Sequence, residues 1–128
     1  IFGLDRVDKS KHVYVVEGPL DSLFLDNCIA VAGADVPPMD CDFTVIFDNE
    51  PRNKELLKQI EKVVNQGYRV ALWPDQMEWK DINDMIIHGY TKSQIQEIIE
   101  DNTFTGAAAQ LRFIEWKKID EGKVAKSA

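Results

Sequence analysis

Three short stretches place carboxylates where apolar chain gives way to polar chain. In VVEGPLDSLFL (residues 15–25) an apolar run ends in Glu17, and Asp21 follows one helical turn later. In VIFDNEPRNKE (residues 45–55) a second apolar run ends in Asp48, with Glu50 two residues on. In WKDINDMI (residues 79–86) Lys80, Asp81 and Asp84 follow a third apolar segment. Carboxylates two apart on a turn leaving a strand can converge on one cation. Hard divalent ions such as magnesium take oxygen ligands of this kind, with water completing the shell. Glu17, Asp48 and Glu50 are the expected set, and Asp21 can face the same space. Gly18 lets the backbone turn and approach a ligand. Pro51 suits the first position of a helix, leaving the next amides free for phosphate oxygens. Arg52 and Lys54 add positive charge there. A metal flanked by cations is equipment for phosphoryl transfer. Each piece alone has an ordinary reading as a solvated loop, a turn or a helix start; three strand ends together favour a site.

The elements that must position these residues are legible as alternating apolar runs and helical periods. Residues 11–16, 29–32, 43–47 and 69–73 read as strands, apolar almost throughout, as suits strands covered on both faces. A helix is expected from Pro19, with Leu20, Leu23 and Phe24 as its apolar face. The clearest helix carries Leu56, Leu57, Ile60, Val63 and Val64 on one side, charged residues on the other, and Gly67 at its end. Residues 82–87 suit a short helix. Thr91 and Gln94 match a capping box before Ile95, Ile98 and Ile99. Residues 106–119 suit a last helix, with Ala107, Leu111 and Ile114 on one side. Residues 36–39 and 74–80 read as loops. The pattern predicts an α/β fold: a doubly wound, Rossmann-like, mainly parallel sheet of about four strands flanked by helices, with ligands bound beyond the carboxyl ends of the strands.

The chain has 128 residues, 45% of them hydrophobic, which suits one domain with a real core. That domain is expected over residues 1–120, with a flexible tail at 121–128. The start at Ile1 suggests a fragment of a longer protein. The net charge of -7 disfavours strong binding of nucleic acid by this chain alone. It points to protein partners, cationic ligands or metal ions, or to solubility alone. Cys28 and Cys41 have no zinc-site spacing and read as buried free thiols in a reducing compartment. No apolar run is long enough to span a bilayer and no signal peptide is visible, so a cytoplasmic location is expected.

EGPLD (residues 17–21) resembles the EGxxD element of Toprim domains, and DNE (residues 48–50) resembles their DxD element. KDIND (residues 80–84) is similar to the third acidic element of phage primases and primase-helicases. The wider wording, including RFIEWKK at residues 112–118, looks most like the T4-type bacteriophage DNA primases and covers nearly the whole chain. The resemblance implies a Toprim fold in which Glu17 acts as general base or acid or as a metal ligand. It implies that Asp48 and Glu50 hold Mg2+ or Mn2+, with Asp21 supporting them. Gly18, Arg52, Lys54, Lys80, Asp81 and Asp84 would complete the nucleotide and phosphate environment. The implied reaction is RNA primer synthesis from ribonucleoside triphosphates on single-stranded DNA, beside a replicative helicase, in the cytoplasm of an infected bacterium. Three departures stand out. Glu50 replaces the usual second aspartate; Asn49 and Asn53 stand where glycines are common, asparagine tolerating left-handed backbone; and there is no cysteine cluster for a zinc module. A Toprim nuclease, a non-catalytic Toprim module and a phospho-receiver, with Asp48 phosphorylated and Lys80 at the phosphoryl group, are the alternatives.

Overall fold

All four residues of the VYVV run at Val13–Val16 are buried, as in a strand covered on both faces. In the computed structural model, which describes residues 3–31, 36 and 39–118, this run is β1. With β2 (Cys28–Ala30), β3 (Phe43–Ile46), β4 (Arg69–Ala71) and β5 (Thr103–Phe104) it forms one sheet in the order β2-β1-β3-β4-β5. The first four strands are parallel, and β5 runs antiparallel to β4. The helices are α1 (Pro19–Ser22), α2 (Lys54–Asn65), α3 (Ile82–Ile87), α4 (Lys92–Asp101) and α5 (Gly106–Trp116).

Alternation along the strands sends side chains to two cores. Val13, Val15, Ile29, Val45 and Val70 meet Ile60 and Val63 of α2 and Phe113 and Trp116 of α5. Tyr14, Val16, Ala30, Ile46 and Ala71 meet Met85 of α3 and Ile95 and Ile99 of α4. Helices therefore cover both faces, as expected for a doubly wound sheet, and the architecture is consistent with a Toprim- or Rossmann-like fold. Among the described residues no helix is long and apolar enough to cross a membrane.

Several local expectations hold. Residues 82–87 are α3. Thr91 Oγ1 accepts from the Gln94 amide at 3.1 Å and Gln94 Oε1 from the Thr91 amide at 2.8 Å, closing the capping box. Gly67, at φ 82°, takes the left-handed turn that ends α2.

Others are corrected. β5 was not expected: two residues carry no readable period, and their antiparallel direction makes a fifth strand. Of the predicted apolar face of α1, Phe24 packs on the core beneath α3 and α4, but the two leucines do not. Leu20 and Leu23 are 52% and 53% exposed, whereas Asp21 and Ser22 are buried. Both buried polar groups have partners: Ser22 Oγ donates to the Pro19 carbonyl at 2.6 Å and Asp21 accepts an amide from α3. Helix α5 likewise buries Ala109, Phe113 and Trp116 and leaves Ala107, Leu111 and Ile114 exposed. Both stripes have helical spacing, and the one with two aromatic rings has more apolar surface to bury. Pro51 is not the first residue of α2. It lies in a preceding turn, and Asn53 caps the helix by accepting from the Leu56 amide at 3.2 Å. Ala32, Gly33, Pro37, Pro38, Ile119 and the tail 121–128 lie outside the described residues. Val36 and Met39 pack against the α2–α5 core.

The choice of face on α5 is measurable. Phe113→Ala should cost about 3–5 kcal/mol in urea unfolding, the range for emptying a buried aromatic site, and Leu111→Ala less than about 0.5 kcal/mol. Equal losses would mean that both stripes are covered in solution.

Candidate functional site

The sheet order sets the site. From β1 the chain crosses to β2 on one side and then to β3 on the other, so a crevice opens between the carboxyl ends of β1 and β3. Val15 pairs with Val45, so the two strands end nearly level. Glu17 follows β1 directly, and Asp48 comes two residues after β3.

Hydrogen bonds fix the loops that leave this edge. The indole of Trp73, beyond β4, donates to the Phe47 carbonyl at 2.7 Å, next to Asp48. Arg112 of α5 donates to the Trp73 carbonyl and to Asp75, each at 3.0 Å. Asn49 clips two acidic segments together. Its backbone amide donates to the Lys80 carbonyl at 2.6 Å, and its side-chain amide donates to the carbonyls of Met77 and Trp79 at 3.0 and 3.2 Å. Trp79 in turn stacks on His88, with ring centroids 3.5 Å apart. From the third segment, the Asn83 amide donates to Asp21 at 2.9 Å. Asp81 caps α3 by accepting from the Asp84 amide at 2.8 Å.

The carboxylates act on one another across this edge. Burial, and then the charges of Asp21, Asp81, Glu17 and Glu50, push Asp48 up to about 7. Burial also pushes Asp21 up to about 6, against the Asn83 hydrogen bond, with Asp81 and Asp84 raising it and Lys80 lowering it. Glu17 is raised by burial and by Glu50. These all-oxygen donors suit a hard divalent cation rather than a thiolate-loving one. Among the described residues no three His, Cys, Asp or Glu side chains already stand as a ready-made metal shell. Cys28, pushed up to about 12 by burial and Asp21, is a neutral thiol, and Cys41 is half-buried and free.

The other predicted site residues divide. Gly18 caps α1 at φ -90°, extended backbone open to any residue, and a Cβ there would make ordinary contact with Asp21 at 3.4 Å. Its expected conformational role is therefore corrected. So is that of the asparagines: Asn27 alone among described non-glycine residues has positive φ, while Asn49 is the clip and Asn53 the helix cap. Arg52 and Lys54 flank that cap. Arg52 shares a cavity of about 310 Å³ with Asn49, Glu50, Asp75 and Glu78. Asn49, Trp73 and the Asn83 amide were not anticipated as site-building groups. Only the position of Asn49 between Asp48 and Glu50 offered a signal.

No protein-family model matches the chain. The chain is similar to the DNA primase of Enterobacteria phage T4, with 41% identity over 126 residues, 93% of this chain. It spans 36% of that protein's length, about a third.

Two outcomes follow from this geometry. Asn49→Ala leaves the Met77 and Trp79 carbonyls without their donor and should cost about 1–3 kcal/mol in urea unfolding; an unchanged midpoint would remove the clip. The second concerns pH. An ordinary aspartate ionises near 3.8, whereas folded Asp48 ionises at about 7. Between these values the folded chain keeps a proton that the unfolded chain has lost, so stability falls as pH rises. The thermal midpoint, followed by circular dichroism without divalent ions, should drop between pH of about 4 and 7 and level off above that. Asp48→Asn should make the fall shallower, leaving the part contributed by Asp21 and Glu17, and melt higher than wild type at the upper end. A midpoint that climbs over this interval would contradict the coupling.

Proposed function

We propose that this chain is the catalytic Toprim-type part of a phage-type DNA primase, joining ribonucleoside triphosphates into RNA primers on single-stranded DNA. The observation that carries this reading is the set of mutually repelling carboxylates at the β1/β3 switch point, with Asp48 raised to about 7. The similarity to the T4 DNA primase supports a primase-related function. A replicative helicase and the cytoplasm of an infected bacterium are the corresponding proposals for partner and location.

The donor chemistry fits Mg2+ or Mn2+, which Asp48 and Glu50 would hold with Asp21 beside them. When bound, the ion supplies positive charge against the charge that develops on the phosphoryl oxygens and the leaving pyrophosphate. Glu17, whose carboxyl is raised by burial, is suited to accept the proton of the attacking primer hydroxyl as the new oxygen–phosphorus bond forms. Asp81 is committed to capping α3, so its contribution is the field that it adds at Asp48 and Asp21. Lys80 restrains the charge of Asp21, and Asn49 keeps the loop of Asp48 and Glu50 registered against the 77–80 loop. The charges that shift Asp48 are all negative. A phospho-receiver, which needs Lys80 at a phosphoryl group on Asp48, draws no support from that.

The test uses a full-length primase carrying this chain, for instance the T4 enzyme with its matching segment replaced. Glu17→Gln should slow primer synthesis by about 10²–10⁴-fold, the usual worth of a general base or acid, without lowering the thermal midpoint. Asp48→Asn should slow it comparably, and Lys58→Ala, on the exposed side of α2, should prime at the parental rate. Primer synthesis by Glu17→Gln at the parental rate would end the reading. Template cleavage without primers would select the nuclease instead.

A further inference from the structure

The third acidic segment reaches the site through a helix too short to hold itself. Helix α3 has six residues, and an isolated helix of that length is not stable in water. Yet this segment supplies the Asn83 amide bonded to Asp21 and the Asp81 carboxylate whose charge acts on Asp48. Asn49 restrains its entry, through the carbonyls of Met77, Trp79 and Lys80. Its exit requires a restraint of its own.

His88 stands at that exit. It is the C-cap of α3, and its backbone amide donates to the Asp84 carbonyl at 3.0 Å. Its ring repeats the bond, with Nδ1 2.8 Å from the same oxygen. A carbonyl only accepts, so Nδ1 carries the hydrogen, and the bond helps to fix the plane of the ring. That plane lies on Trp79, 5° from parallel, with the centroids 3.5 Å apart. The chain leaves one ring at Trp79 and returns to it at His88, with Lys80, Asp81, Asn83 and Asp84 inside the closure. Ending the helix does not call for the ring. Gly89, at φ 103°, already takes the left-handed turn, and its amide donates to the Ile86 carbonyl at 3.1 Å. Nor does the ring fill a core, because His88 is exposed. Closure of the segment is what the stack accomplishes.

We propose that His88 is a positioning residue of the carboxylate site: stacked on Trp79, it locks residues 79–88 and so fixes where Asp81 and the Asn83 amide stand relative to Asp48 and Asp21. The metal at that site rests on the primase reading; the closure of the segment does not.

The experiment is amide hydrogen exchange by NMR on the 128-residue chain without divalent ions, followed by titration with Mn2+. His88→Ala should speed exchange of the Asn83 amide roughly tenfold by local opening, and change the amides of Val15 and Val45, in paired central strands, far less. His88→Gln keeps a donor for the Asp84 carbonyl but no ring, and should behave like His88→Ala. His88→Phe keeps the ring without the donor and should restore slow exchange. Mn2+ should bind His88→Ala about tenfold more weakly, as when a group that orients metal ligands is lost, and His88→Phe as wild type. In the T4 enzyme carrying this chain, His88→Ala should raise the Mg2+ concentration for half-maximal priming by about the same factor, with a much smaller change in maximal rate. Ile87→Ala, at the exposed neighbouring position, should match wild type throughout. Circular dichroism checks folding, and His88→Gln decides if His88→Ala does not fold. The proposal falls if Asn83 keeps its wild-type exchange rate without the ring, or if Val15 and Val45 accelerate as much as Asn83. It also falls if His88→Gln restores what His88→Phe does not. Faster exchange at Asn83 in a chain that binds no Mn2+ and primes nothing would remove the primase reading alone.

Discussion

Repulsion among carboxylates held at the ends of parallel strands is the constraint around which the functional edge is arranged. In a loop exposed to water, Glu17, Asp21, Asp48, Glu50 and Asp81 would move apart. Here they cannot, because β1 and β3 are hydrogen-bonded neighbours inside a sheet covered on both faces. The Trp73 indole, the Asn49 side chain and the Asn83 amide then restrain the three segments that leave the sheet. Burial first, and then the neighbouring negative charges, raise the carboxyls of Asp48, Asp21 and Glu17.

What was legible in the sequence was what repeats. Apolar runs gave the first four strands, the amphipathic period gave α2, and Thr91 with Gln94 and Gly67 marked helix ends as their chemistry requires. What was not legible depended on partners distant in sequence. Leu20 and Leu23 make a respectable apolar stripe, but a one-turn helix has little surface to bury, and Asp21 is drawn inward by an amide 62 residues away. The stripe of Leu111 and Ile114 has the same spacing as that of Phe113 and Trp116, so periodicity could not choose between them. Glu17 and Asp48 stood out because each closely follows the end of an apolar strand. The role of Asn49 was missed because its three acceptors lie on a loop whose path only the fold reveals.

The overall charge of -7 hides a division of the surface. At an ionic strength of about 0.1 M, charges further apart than roughly 10 Å are largely screened. The surroundings of Lys54, with Lys117 and Lys118 lining the same cavity, are therefore set by nearby groups more than by the acidic total. Net charge governs solubility and slow repulsion between copies; the arrangement within one screening length sets the local field.

The two outer strands of the sheet are very short, β2 with three residues and β5 with two, and β5 reverses direction. A parallel sheet with long open borders presents rows of unpaired amides and carbonyls that invite another chain to add on. Here each border offers room for scarcely one repeat of such pairing. A protein whose central strands are rich in valine, isoleucine and phenylalanine thereby keeps its most adhesive segments in the interior of the ladder and has little foothold for lateral growth into fibrous aggregates.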